Sequence, residues 1–286
     1  MDSLINWFAE PLSFPFMQNA LWTALIVAVT CGLLSCYLVL KGWSLMGDAV
    51  SHAVLPGIVL AFVAGIPLAV GAFVSGLLCA LGVGYLKNNS RLKEDTVMGI
   101  VFSGMFALGV VLFTKVETDQ HLTHILFGNV LGVSDAELRH TLAVSAAIVL
   151  VILLKWRDFL LYCFDPVQAR VCGLSPFRLH YGLLILLALT IITAMQVAGV
   201  VLVVAMLISP GITAFLLTKR FGCMLAVVLA VSVFTSVFGT LLSYHLNAAT
   251  GPCIVLLQAG VFLLALGWGK WRDRGVRRLV REREAG

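Results

Sequence analysis

Charge is scarce in this sequence: Asp, Glu, Lys and Arg make up 12% of its 286 residues, while 60% are hydrophobic. A soluble domain typically charges about a quarter of its residues to keep its surface in water, so an aqueous globular enzyme is excluded and the bilayer is the natural solvent. Paired cysteines are missing too. The seven, at positions 31, 36, 79, 163, 172, 223 and 253, are scattered, mostly within apolar runs, without a CxxC, which argues for core packing over a zinc site or a disulfide framework. The opening MDSLINWFAEPLSFPF lacks the basic start and the cleavage site of a secretory leader, so the apolar runs themselves are expected to direct the chain to a membrane. No G-x-x-x-x-G-K-[ST] string occurs, so the chain has no P-loop for nucleotide. It is not read as an enzyme: if ATP supplies the energy, hydrolysis belongs to another subunit.

What the chain does have is a succession of apolar runs. A helical crossing needs about 20 mainly apolar residues, and nine runs qualify: 17–40, 43–64, 67–86, 95–114, 137–154, 179–197, 199–218, 222–245 and 252–269. The expected fold is all-α, a polytopic transmembrane helical bundle of eight or nine spans, the lower number applying if the pair flanking Val197 to Gly199 is partly re-entrant. Residues 1–16 form an extracytoplasmic N-terminal segment, 17–270 the transmembrane domain and 271–286 a cytoplasmic basic tail. With the N-terminus outside, all of the 19 basic residues except Lys115 and Arg139 fall in inward-facing segments. That is the positive-inside pattern of a multi-pass membrane protein, so the formal charge of +5 points to no nucleic acid. Small residues four apart, Ala72, Gly76, Ala80 and Gly84, predict close helix packing. Gly128 to Gly132, in the longest external loop, reads either as an apolar turn folding back into the bundle mouth or as an amphipathic connector.

Of the fourteen acidic residues, only Asp48 lies well within a crossing. An ionised carboxylate there costs a few kcal/mol even on lenient insertion scales, so something must compensate it. His52 follows one helical turn later and projects from the same face. If Trp43 marks the interface, a rise of ~1.5 Å per residue puts Asp48 roughly 7 Å and His52 roughly 13 Å into the core. A carboxylate oxygen with an imidazole nitrogen suits manganese, iron or zinc, and the absence of nearby thiolate disfavours copper(I). Pro56 and Gly57 interrupt the same helix, and irregular backbone at membrane depth is tolerated mainly where it faces protein or a water-filled cavity. The pair therefore reads as part of a path for a divalent cation. A structural Asp–His hydrogen bond and a proton relay are the competing readings. Two ligands are too few for a divalent ion, and a two-fold partner would supply the same pair again.

Other polar groups carry less. His121 and His124 stand three apart beside Asp119 at the outer mouth, where they are candidates for guiding an arriving metal or are merely solvated. Glu94 and Asp95 suit the N-terminus of the fourth span, and Gln196, His245 and Gln258 are expected to satisfy interhelical hydrogen bonds. In the inward segment from Lys155 to His180, Asp165 is placed to cap a short helix, Pro166 to occupy its first position and Gly173 to close it. That element, including Gln168 and Ala169, is a candidate docking site for an ATPase or an ordinary ordered loop.

The string KGWSLMGDAVSHAVLPGIVLA resembles the signature of the membrane subunits of metal-type ABC importers, and EDTVMGIVFSGMFALG, LFGNVLGVS, DPVQARVCGLSPFRLHYG and VAGVVLVVAMLISPGITAFLL extend the match over nearly the whole chain. The resemblance is closest to manganese and chelated-iron permeases of Gram-negative bacteria. It implies an inner-membrane protein that moves manganese or iron inward, with zinc importers of the same family as the alternative. Asp48 and His52 would line the metal path, and the stretch around Asp165 to Gly173 would be the coupling helix that docks into a cytoplasmic ATP-binding subunit. The other implied partners are a second permease, identical or paralogous, and an extracytoplasmic metal-binding protein. No covalently bound cofactor is implied; the metal is cargo. A proton-coupled secondary transporter is the runner-up, and a membrane metalloenzyme would need further ligands and a general base.

Overall fold

The computed structural model describes residues 10–43, 45–115 and 132–284. Among them there is no strand, and the helices run in the order α1 (Pro15–Lys41), α2 (Met46–Ala53), α3 (Leu55–Ala64), α4 (Leu68–Asn89), α5 (Glu94–Phe113), α6 (Asp135–Leu154), α7 (Trp156–Phe164), α8 (Pro166–Val171), α9 (Pro176–Ala198), α10 (Val200–Leu217), α11 (Phe221–Leu246) and α12 (Thr250–Glu284). Nine stretches of the described residues are long and apolar enough to cross a membrane, with α2 and α3 together forming one of them. Each expected run is thus a helix. Both helices flanking Gly199 have the length of a full crossing, which takes the higher of the two expected counts. The last helix continues past Trp271 to Glu284, so span and basic tail share one backbone helix.

Contacts sort the helix ends into two groups. At one end Asn19 Nδ2 donates to Asp135 Oδ1 at 2.8 Å and Ser243 Oγ meets Thr250 Oγ1 at 3.0 Å. At the other, Tyr37 Oη donates to the Trp156 carbonyl at 3.4 Å, Trp156 stacks on Phe221, and Lys41 Nζ lies 3.7 Å from the centre of the Tyr162 ring. Helix α1 runs down the middle, burying Ala20, Ala24, Ala28, Cys31, Leu34 and Tyr37, whereas α5 leaves Ile100, Leu108 and Val111 exposed.

In lipid the hydrophobic effect does little to drive helix association, and packing depends on how closely backbones approach. The tightest approach joins α3 to α4: a Cβ on Gly57 would land on the carbonyl oxygen of Gly71, and one on Gly71 on that of Gly57. The predicted small-residue stripe serves the neighbouring face of α4, where Gly76 sits against Val50, Val54 and Ile192 and Gly84 against His180. On α10, the Gly211 amide donates to Ser35 Oγ at 3.0 Å, tying that helix to α1.

The second span departs from expectation in where it breaks. Pro56 and Gly57 were the expected interruption, but helical hydrogen bonding lapses at Val54, and Leu55 and Pro56 already open α3. A proline disturbs the turn before it, because it removes the bond to the carbonyl four residues back, here that of His52. Val54 keeps right-handed helical angles, φ −69° and ψ −27°, so the span continues in nearly the same direction. Ser75 Oγ of α4 donates to the Ala53 carbonyl at 2.6 Å and holds the discontinuity.

Candidate functional site

The turn that delivers the acidic residue is set by Gly42. Its φ of +71° ends α1 in the left-handed region that side-chain-bearing residues avoid, and its amide reaches the Leu38 and Val39 carbonyls. Trp43 then bonds its amide to the Leu38 carbonyl at 2.9 Å and accepts from the Met46 amide at 3.2 Å. Trp43 is 1% exposed and packs edge-on to His180, with ring centroids 5.4 Å apart. It is buried in the bundle just beyond Lys41, at the end of α1.

Asp48 lies in the first turn of α2, where the helix N-terminus favours a carboxylate. His52 Nε2 stands 3.2 Å from Asp48 Oδ1, with 31% of the His52 and 39% of the Asp48 side chain exposed. The His52 ring leans on Phe102 and Phe106 of α5, at 6.1 and 5.4 Å between centroids, and its Nδ1 is buried without a hydrogen-bond partner among the described residues. The rest of α2 is held from behind. Gly47 abuts Leu207 of α10, Val50 abuts Gly76 of α4, and Ser51 Oγ bonds back to the Gly47 carbonyl at 2.7 Å. Ala49, Val50 and Ala53 are fully buried, so the wall is apolar and the one open edge carries the carboxylate and imidazole. Among the described residues no third His, Cys, Asp or Glu joins the pair. His121 and His124, and all of the Gly128–Gly132 segment except Gly132, lie outside the described residues.

The segment after the fifth span folds as two helices where the sequence reading had one. The nine-residue α7 comes first, packed on α1 through an edge-on contact of Tyr37 and Phe159 at 6.0 Å between ring centroids. Then Asp165 Oδ1 accepts from the Val167 and Gln168 amides at 2.8 and 3.0 Å, Pro166 takes the first position of α8, and Gly173, at φ +80°, closes it with bonds from Gly173 and Leu174 to the Arg170 and Ala169 carbonyls. Ala169 is fully buried beneath the helix. Phe164, Val167, Val171 and Phe177 are each about two-thirds to three-quarters exposed, surrounding α8 with apolar surface. Neighbouring Cys163 is buried, which pushes its thiol up to about 12 and leaves it an apolar packing group. Of the seven free cysteines, five pack in the interior as expected, and Cys172 and Cys223 are exposed.

Gln258 Nε2 donates to Thr235 Oγ1 at 3.4 Å, joining α12 to α11 as anticipated; Gln196 lies exposed, and His245 meets the edge of the Tyr244 ring among its contacts. The sequence reading passed over Tyr162 and His180, whose Oη and Nδ1 are 2.8 Å apart. The available signal was a histidine one turn into an apolar span with no charged residue within a turn after it.

The chain is similar to known proteins. The probable iron transport system membrane protein of Haemophilus influenzae is 68% identical over 271 residues, covering 95% of this chain and 100% of that one. The manganese transport system membrane protein MntB of Synechocystis sp. is 49% identical, covering 91% of this chain and 85% of that one. Among solved structures, PsaBC from Streptococcus pneumoniae in complex with Fab superposes with a TM-score of 0.81 at 41% identity, covering 92% of this chain and 95% of that chain. The model of the ABC 3 transport family matches residues 13–268. That range takes in the broken second span, the Asp48–His52 pair and the capped α8 together, and the chain belongs to the ABC 3 transport family.

Proposed function

We propose that this chain is the channel-forming permease subunit of an ATP-binding-cassette importer that carries manganese or iron ions across a bacterial inner membrane, and that Asp48 and His52 line the path. The observation that carries the site is the pair itself: a carboxylate and an imidazole 3.2 Å apart on one helix, about a third exposed, in a span otherwise walled by apolar side chains. Polar groups about a third open at membrane depth are costly against lipid, so a second permease is the natural cover for this edge. A homologous partner brings its own Asp–His pair, and the doubled set of oxygen and nitrogen ligands suits manganese(II), iron(II) or zinc(II). The relatives named for iron and manganese support those two ions over zinc.

The remaining assignments follow from chemistry at the two ends. Lys41, Lys87, Lys155 and Arg220 cap spans at the end that carries α7 and α8, and basic residues gather on the cytoplasmic side. The N-terminus then faces outward, where an extracytoplasmic metal-binding protein delivers the ion. The exposed apolar rim of Phe164, Val167, Val171 and Phe177 around a capped helix is suited to a cytoplasmic ATPase subunit. His121 and His124 belong to the outer mouth in this scheme and would meet the arriving ion.

A proton-coupled carrier would also use an intramembrane Asp–His pair, and the energy source separates the two. Uptake of manganese into cells that lack the ATPase, with the proton gradient intact, is expected to vanish; persistent uptake would overturn the importer reading in favour of the carrier.

A further inference from the structure

One buried cluster has no part in the metal path. Tyr162 of α7 and His180 of α9 are joined by the 2.8 Å contact between Oη and Nδ1, and Tyr162 carries Lys41 over its ring. Against the other side of His180 lies Trp43, edge-on. Behind it is Gly84 of α4, where a Cβ would come within 3.0 Å of His180 Nε2. Four elements meet at this one ring: α7, α9, α4 and the turn that opens α2.

The two outer members of the cluster belong to the two parts an importer has to connect. Tyr162 is on α7, which passes through the single residue Asp165 into α8, so the two helices move as neighbours on one short backbone. Trp43 stands five residues before Asp48, on a turn fixed at both ends by backbone bonds to Leu38 and Met46. Among the described residues the hydroxyl–imidazole bond is a polar tie between α7 and α9 across this gap, with Trp43 and Tyr162 buried and His180 half-buried. His180 Nε2 and Trp43 Nε1 are both buried and find no hydrogen-bond partner among the described residues. A buried polar group favours being paired, so a rearrangement that brought partners to those nitrogens would be stabilised by them. Such a joint is suited to two discrete arrangements, which is what physical coupling between distant sites requires.

We propose that Tyr162 and His180, with Trp43 seated against them, form the joint that passes movement of α8 to α2 and so to Asp48 and His52. They are positioning residues: neither touches the ion. The inference rests on the reading of α8 as the ATPase dock and of Asp48 and His52 as the metal path.

The test uses the whole importer, both permeases with the ATPase and the binding protein, reconstituted in vesicles with manganese as the probe. The readout is metal taken up per ATP hydrolysed. Tyr162→Phe removes one oxygen and keeps the ring beneath Lys41; it is expected to leave assembly and metal-independent ATP hydrolysis near wild type while uptake per ATP falls about fivefold, the scale of one buried hydrogen bond. His180→Gln, which keeps an acceptor for Tyr162, is expected to retain most of the coupling, and His180→Leu to lose it. An unchanged ratio in Tyr162→Phe, or hydrolysis and uptake falling together, overturns the joint. Should Tyr162→Phe fail to assemble, Trp43→Phe is judged by the same ratio. Asp48→Asn in the same vesicles keeps the two readings apart, because normal uptake by that variant sinks the metal path whatever Tyr162 shows.

Discussion

His52 and His180 each hold an oxygen partner at hydrogen-bond range, in opposite settings. His52 meets Asp48 within one helix, and the carboxylate is 39% exposed. His180 meets Tyr162 across two helices, and the tyrosine is 6% exposed. A pair on one helix keeps its spacing however that helix moves, and an open edge lets a hydrated ion approach and leave. A pair bridging two helices changes geometry as soon as they shift, and an enclosed one has nothing to exchange. The same side-chain chemistry therefore serves as a ligand set in one place and as a mechanical tie in the other.

The sharpest way to break the comparison is to neutralise the open pair. Asp48→Asn keeps the shape and the hydrogen bond to His52 but removes the charge that attracts a divalent ion. Loss of an outer partner of a metal ligand already costs 10–100-fold in affinity, so loss of a direct ligand is expected to lower manganese uptake on the order of 100-fold, with membrane insertion and complex yield unchanged. Radiolabelled uptake beside immunoblotting of the membrane fraction measures both, and wild-type uptake would assign Asp48 a structural role. Gly71→Val strikes the α3–α4 contact, further along the span that carries the pair. Its added carbons meet the Gly57 backbone, which has no rotamer with which to give way, so a loss of at least 1–3 kcal/mol is expected. Thermal unfolding of the detergent-purified protein reads it, and an unshifted transition would show that the α3–α4 contact is looser than described.

How much of this was legible in the sequence follows the physics of each signal. The crossings were plain because the bilayer demands about 20 apolar residues in a row, and Asp48 was plain because a charge inside such a run is rare. The cap of α8 was readable at residue level, since Asp, Pro and Gly each answer a local backbone requirement at a fixed offset. The break at Val54 was misplaced because proline acts on the preceding turn. The burial of Trp43 was not readable, because tryptophan is common both at membrane interfaces and in cores and its packing on His180 is a tertiary contact. The Tyr162–His180 bond was invisible: its partners are 18 residues apart on different helices, with no periodicity linking them.

The cap of α8 offers a graded test at the docking side. Asp165→Ala removes the acceptor for two amides and is expected to cost about 1 kcal/mol, as N-cap losses do. Association of the ATPase should weaken about fivefold if α8 must be folded to dock. Pull-down of the ATPase by the tagged permease checks this, and unaltered recovery would move the dock elsewhere.

The smallest effect is a difference in labelling between two cysteines nine residues apart. Cys163 is buried, with its thiol pushed up to about 12, so almost none of it is thiolate at neutral pH. Cys172 ends α8 and is exposed. In inside-out vesicles a membrane-impermeant maleimide should modify Cys172 and spare Cys163, and adding the ATPase should slow the Cys172 reaction several-fold. Labelling of Cys172 in right-side-out vesicles instead would reverse the orientation, and labelling of Cys163 would mean that the enclosed cluster around Tyr162 opens to water. In that event the contrast between the two histidines would fail at its closed member, because a hydrated tyrosine cannot hold His180 against solvent competition as a rigid tie does.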